Sequence, residues 1–327
     1  MSASVGAGPD PAQARSRTWA GIACGIGAGA LWGLVFLAPE LVREFTPLQM
    51  TIGRYLCYGL IAAVLVAPHW RPLFAGIPRR QWWNLAWLAL AGNTVYYLLL
   101  SSAVQSGGIA MASLVVGLVP VTVTVVGSLE QGAVPLRRLW LSLLLCVAGV
   151  ACIGWHALAG VASGAAGRRL FGLLFALGAL ASWTAFAVGN ARCLVRMAHV
   201  SAHDWNLLLG LVTGAQSLLL LPLALASGFG DHGVDAWVRL GAVSLGVAVL
   251  ASIAGNALWN RMSRLLPLTL VGQMILFETV FALVYGWMWE RRLPAVLELV
   301  ALALVVLGVL GCLAAHRRPV AISHGAA

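Results

Sequence analysis

The sequence predicts an all-α polytopic membrane protein of ten transmembrane helices in two inverted five-helix repeats, with both termini in the cytoplasm. Three observations carry that expectation. The 327-residue chain is 61% hydrophobic and 9% charged, with a mean hydropathy of +0.92, far too little polar surface for a water-soluble globule. Its apolar residues fall into runs of roughly 20, the length at which a helix rising about 1.5 Å per residue crosses a hydrocarbon core about 30 Å thick. A set of landmarks in the first half also recurs, in the same order, in the second.

The runs place spans near 18–39, 47–68, 82–104, 108–129, 138–158, 169–191, 205–226, 237–260, 265–289 and 293–315. Residues 1–17 and 316–327 are then cytoplasmic tails, 18–158 and 169–315 the two repeats, and the Gly/Ala-rich stretch 159–168 a linker. The first run, Ala20 to Pro39, is long for a signal-peptide core and ends without a good cleavage site, so it reads as a retained span. With the N-terminus inside, thirteen arginines fall on the cytoplasmic side. Six fall outside, and Arg54 stays within a span. That asymmetry sets the orientation.

The repeat is the most informative pattern. Ala91-Gly92-Asn93 returns as Ala254-Gly255-Asn256, and Glu130 follows the first asparagine by 37 residues as Glu290 follows the second by 34. Pro135 and Pro294 come next, then Ala148-Gly149-Val150 and Leu307-Gly308-Val309. Five spans is an odd number, so the second copy enters the membrane from the opposite side. Inverted repeats of this kind suit alternating access around a site at their interface.

Several functions are disfavoured. All twenty basic residues are arginines, most of them in pairs near the ends of apolar runs, which marks topology and not a phosphate-binding face, so no nucleic-acid partner is expected. The six cysteines form no CxxC pair and read as small core residues. No HExxH, Walker A, GxSxG or His/Cys cluster is present, and no enzymatic activity, metal or cofactor is expected.

Chemistry concentrates in Leu265 to Glu290, where Gln273 and Glu278 interrupt an apolar run. An ionisable group at membrane depth is costly and by default functional. Helical spacing sets Gln273, Phe277 and Tyr285 near one side of the ninth span, with Met274, Glu278 and Phe281 adjoining. Asn93, Tyr96 and Tyr97 share a face of the third span, and Asn256, Trp259 and Asn260 a face of the eighth. These faces are expected to line a cavity, with Trp32 as a further wall. The alternative for the asparagines is hydrogen bonding across packed helices, and for Glu278 a neutral, hydrogen-bonded core carboxyl. Arg54 either pairs with Glu278 or snorkels to the interface. Gly21, Gly25, Gly29 and Gly33 line one face of the first span, a stripe that fits close packing or gating.

Several segments resemble the drug/metabolite transporter superfamily, specifically its EamA-type members. Gly29-Ala30-Leu31-Trp32-Gly33 resembles the small-Trp-Gly segment of the family's first span, and Pro47 with Arg54 the opening of its second. Ala110 to Pro120 resembles the small-residue fourth span that ends in a proline. Glu130 and Glu290 resemble the glutamates closing the fourth and ninth spans. The ninth span departs from the pattern in having no proline to mirror Pro120.

The resemblance implies a secondary transporter that exports a small metabolite, amino acid or drug-like compound across the inner membrane by alternating access. Glu278 is then a substrate contact or a proton carrier. The expected partners are a small-molecule substrate and the lipid bilayer, with proton coupling and oligomeric state left open. The rivals are an uncoupled facilitator of the same fold and a non-transporting membrane scaffold or intramembrane enzyme.

Overall fold

The computed structural model describes residues 11–127, 139–158, 163–197, 199–226, 232–266 and 273–315. The landmarks Glu130 and Pro135, residues 1–10 and 316–327 of the tails, and 159–162 of the linker lie outside the described residues. Among the described residues, eight long apolar helices and two shorter ones follow the apolar runs. Eight are long and apolar enough to cross a membrane: α1 Ser16–Leu41, α2 Pro47–Ala75, α3 Arg79–Gly107, α4 Ile109–Gly127, α6 Ala166–Arg196, α7 Ala202–Ala226, α8 Val234–Leu265 and α10 Val296–Ala314. The shorter apolar helices α5 Trp140–His156 and α9 Leu276–Trp289 complete the set. Among the described residues there is no β-strand.

Local chemistry fixes several ends. At the start of α2, Thr46 Oγ1 accepts the Gln49 N–H and the Thr46 N–H donates to Gln49 Oε1 at 2.9 Å, with Pro47 at the first helical position. Between α3 and α4 the chain reverses at Gly108, whose φ of +88° is open to a residue without a Cβ. Large apolar side chains such as Trp83, Val195 and Leu219 are about four-fifths exposed, as expected of helices that face lipid on one side.

The helix pairing repeats when the halves are exchanged. Helix α2 packs along α7 and α5 along α10; α1 packs on α8 and α9, and its counterpart α6 packs on α3 and α4. These pairings map onto one another when the halves are exchanged. Close approach depends on missing side chains. At the α2–α7 crossing a Cβ on Gly59 would lie 2.7 Å from the Gly214 Cα, and along α1 a Cβ on Gly29 would lie 2.6 Å from the Phe277 Cβ. The glycine stripe of α1 is therefore the seat of α9, with Gly25 against Met274, Gly29 against Phe277 and Gly33 against Phe281.

Candidate substrate cavity

Four helices lose regular geometry around one cavity, and they form two equivalent pairs. In α3 the segment Leu90–Val95 is π-helical, and in α8 so is Ala248–Gly255. The repeated Ala-Gly-Asn falls on both: Asn93 sits inside the first wide turn and Asn256 directly follows the second. Helix α4 is interrupted at Gly117–Leu118 before Pro120, whose nitrogen has no hydrogen to donate. Its counterpart α9 starts from a turn at Ile275, so Glu278 occupies its first helical turn. Wide turns and broken helices at membrane depth persist only where other groups satisfy the backbone or where it borders a wet cavity.

Side chains supply backbone partners in both wide turns. The Ser182 hydroxyl of α6 donates to the Ala91 carbonyl at 2.7 Å, and Gln216 of α7 donates to the Ala86 carbonyl at 2.8 Å. In the other half the Trp32 indole N–H of α1 reaches the Ala251 carbonyl at 3.1 Å, and Asn256 Nδ2 the Ser252 carbonyl at 2.7 Å. Each π-helical segment is thus held by the first helix of the opposite repeat. Thr94 joins the same network through Gln216 at 2.7 Å.

The cavity measures about 160 Å³. From the first half Trp32, Arg54, Tyr55, Tyr58, Asn93 and Tyr96 face it, with Gly117 and Pro120 at the α4 break. From the second half come Trp183, Phe186, Asn206, Ser252, Asn256 and Glu278, with Ile275 and Thr279 beside the α9 break. It is an aromatic chamber with three amides, one guanidinium and one carboxylate. Ion pairs among the described residues join Glu40 to Arg43, Asp204 to His69, Glu44 to Arg239, and Arg292 to Glu290 and Glu298. Neither Arg54 nor Glu278 takes part in one. The direct pair between them is not formed, although both border the same space.

Sequence-predicted residues divide accordingly. Glu278, Asn93, Asn256, Trp32, Arg54 and Pro120 border the cavity. Asn93 serves structure as well, since its Nδ2 donates to Thr213 Oγ1 at 2.8 Å. Trp259 does not border it, because it stands behind Trp32 with the ring centroids 5.0 Å apart. Tyr97 also misses it and lies instead under Arg54 and edge-on to Tyr55. Gln273 and Asn260 are not among the lining residues. For Gln273 the reason is the α1 stripe: Gly25 and Gly29 draw the Met274–Phe277 side of α9 onto α1, which turns Glu278 and Thr279 inward.

Sequence reasoning missed Trp183, Phe186, Asn206, Tyr55 and Tyr58. A signal for Trp183 existed, since Gly29-Ala30-Leu31 before Trp32 recurs as Gly178-Ala179-Leu180 shortly before Trp183. A second cavity of about 700 Å³ lies at the ends of the helices, where Glu40, Arg43, Arg168, Arg169, Glu290 and Arg292 gather. Glu290, predicted as a boundary residue, is ion-paired there with Arg292.

Two equivalent bundles of apolar helices thus border one shared chamber. The chain matches the EamA-like transporter family over residues 19–155 and 170–314, one match in each half, and it belongs to that family. It is 32% identical over 293 residues to the inner membrane protein YtfF of Escherichia coli (strain K12), covering 86% of this chain and 91% of that protein. A crystal structure of another protein superposes with a TM-score of 0.59 at 19% identity, over 92% of this chain and 99% of that one. At that identity the likeness concerns the fold.

Proposed function

We propose that this chain is a multi-pass inner-membrane secondary transporter that exports a small metabolite, amino acid or drug-like solute by alternating access. The observation that carries the reading is the chamber bounded by four irregular helices in two equivalent pairs, α3 with α8 and α4 with α9. Helix breaks and wide turns are the elements on which one repeat rocks against the other while a site between them stays fixed. On this reading all ten helices span the bilayer, the second repeat is inverted and both termini are cytoplasmic. YtfF, an inner membrane protein, supports the compartment.

Glu278 contacts the substrate directly or carries a proton through the cycle. Its carboxylate borders the chamber and is held by no ion pair within 4.0 Å, so it is available to a solute. The test is flux in proteoliposomes. Glu278→Gln keeps the shape and removes the charge, and it is expected to leave the protein folded while abolishing transport or uncoupling it from a pH gradient. Wild-type flux with unchanged pH dependence would overturn the assignment.

A further inference from the structure

The second cavity, of about 700 Å³, lies apart from the chamber, where α1, α3, α5 and α9 end and α4, α6 and α10 begin. Its walls carry four arginines, Arg43, Arg168, Arg169 and Arg292, against three glutamates, Glu40, Glu290 and Glu298. All three carboxylates are committed to arginines. Glu40 holds Arg43 at 2.9 Å, and Glu290 pairs with Arg292. Glu298 takes both terminal nitrogens of Arg292, at 2.6 and 2.7 Å, and accepts the Ala295 N–H at 2.9 Å. Arg43 reaches on to the Gln105 carbonyl at 3.2 Å, which ties this wall to the end of α3. Arg168 and Arg169 carry the charge by which guanidiniums outnumber carboxylates here.

The same two arginines stand where the lipid-facing surface stops. Leu170 and Phe171, directly after them on α6, are exposed, and on α5 Trp155 is 72% exposed one residue before His156, which lines the cavity. Helices α5 and α6 meet at this level: a Cβ on Gly154 would rest 3.5 Å from Leu173 Cδ2. Across the cavity the lining residues Trp289 and Leu293 are exposed as well. Tryptophans between an apolar helix surface and its charged end mark the depth of lipid headgroups.

We infer that this cavity binds the phosphate of an anionic membrane lipid, with Arg168 and Arg169 holding the phosphate oxygens and the acyl chains lying along the apolar ends of α5 and α6. Charge sets the sign of the ligand, since an anion offsets the excess and a cation adds to it. The planar fork of arginine suits phosphate, and basic groups at headgroup depth attract anionic lipids. Size agrees: about 700 Å³ falls within the roughly 300–1,000 Å³ of ligand pockets, room for a glycerol headgroup as well as its phosphate. In the orientation proposed above, the lipid belongs to the outer leaflet.

The test uses purified full-length protein in an uncharged detergent and three probes: dioleoylphosphatidylglycerol, dioleoylphosphatidylcholine, whose phosphodiester is neutralised by choline, and glycerol phosphate, which has no acyl chain. Bound lipid is counted by native mass spectrometry, and affinity is followed by the rise of melting temperature with probe concentration. The wild type is expected to bind phosphatidylglycerol at least about tenfold more tightly than either other probe, the scale of one charged hydrogen bond. The double variant Arg168→Gln, Arg169→Gln should lose that preference. Arg79→Gln with Arg80→Gln removes the same charge at the far end of α3, outside the cavity, and should keep it.

The inference is overturned if wild-type protein binds the two lipids equally, if the Arg168 and Arg169 variant keeps the preference, or if the Arg79 and Arg80 variant loses it to the same extent. Glycerol phosphate binding as tightly as phosphatidylglycerol would also overturn it, because the ligand would then be a soluble phosphate ester. The wild-type comparison stands even where a variant fails to fold. Solute flux through the chamber is measured separately, so this inference and the transporter reading can each fail alone.

Discussion

Replacing Gly29 by alanine tests how the chamber is built. A Cβ at this position would lie 2.6 Å from the Phe277 Cβ and 2.9 Å from the Glu278 backbone nitrogen. Unstrained carbon atoms rest about 3.5–4.0 Å apart, so α9 must retreat from α1 by about 1 Å. The obstacle is partly backbone, which no rotamer change relieves, and the overpacking cost is expected near 2 kcal/mol. The retreating turn carries Glu278, so flux should fall along with stability. The control is Gly241→Ala in α8, where nothing lies within 4 Å of the added Cβ; stability there should be unchanged or slightly higher. Both variants can be compared by thermal unfolding in detergent and by proteoliposome flux. Wild-type stability and flux in Gly29→Ala would refute the claim that the glycine stripe seats the helix bearing Glu278.

Two further perturbations probe the surroundings. Glu298 is 2% exposed and accepts from both terminal nitrogens of Arg292, from the Ala295 N–H and from the Trp287 indole. Glu298→Ala leaves Arg292 and these donors unmatched, and a lower melting temperature is expected; Arg292 is 37% exposed and can hydrate, so the loss should fall below the roughly 3–5 kcal/mol of a fully buried pair. In the loop between α1 and α2, burial raises the Glu44 carboxyl, but a hydrogen bond from its own backbone and the Arg239 guanidinium outweigh it and hold the group below its usual 4.5. A depressed carboxyl contributes stability above its unfolded value and loses it as pH falls through the folded one. Arg239→Gln removes that contribution, so its melting temperature should lie below wild type near pH 6 and approach it near pH 3, as followed by thermal melts across a window of roughly one to two units around an ordinary carboxyl.

Much of this architecture was legible because bilayer thickness writes itself into the sequence as apolar run lengths, and the doubled landmarks from Asn93 to Val150 and from Asn256 to Val309 carried the repeat. The local geometry at those landmarks was not legible. Ala-Gly-Asn marks both π-helical segments, but a wide turn depends on Ser182, Gln216 and Trp32 arriving from other helices. The break in α9 lacks a proline counterpart to Pro120, so composition at Met274-Ile275-Leu276 gave no hint of it. Helical periodicity grouped Gln273 with Phe277 and Tyr285, and it could not say which face would meet α1. The glycine stripe decides that, and it turns Glu278 inward while Gln273 stays away from the chamber.

The most direct measurement is two-sided accessibility of the chamber. In a background with the six native cysteines replaced, Ser252→Cys and Val116→Cys place thiols on lining positions from opposite repeats. Alternating access predicts that a membrane-impermeant maleimide labels both sites from either face, in right-side-out and inverted vesicles, and that a transported solute changes the two rates. Labelling from one face alone, or none from either, would contradict the account.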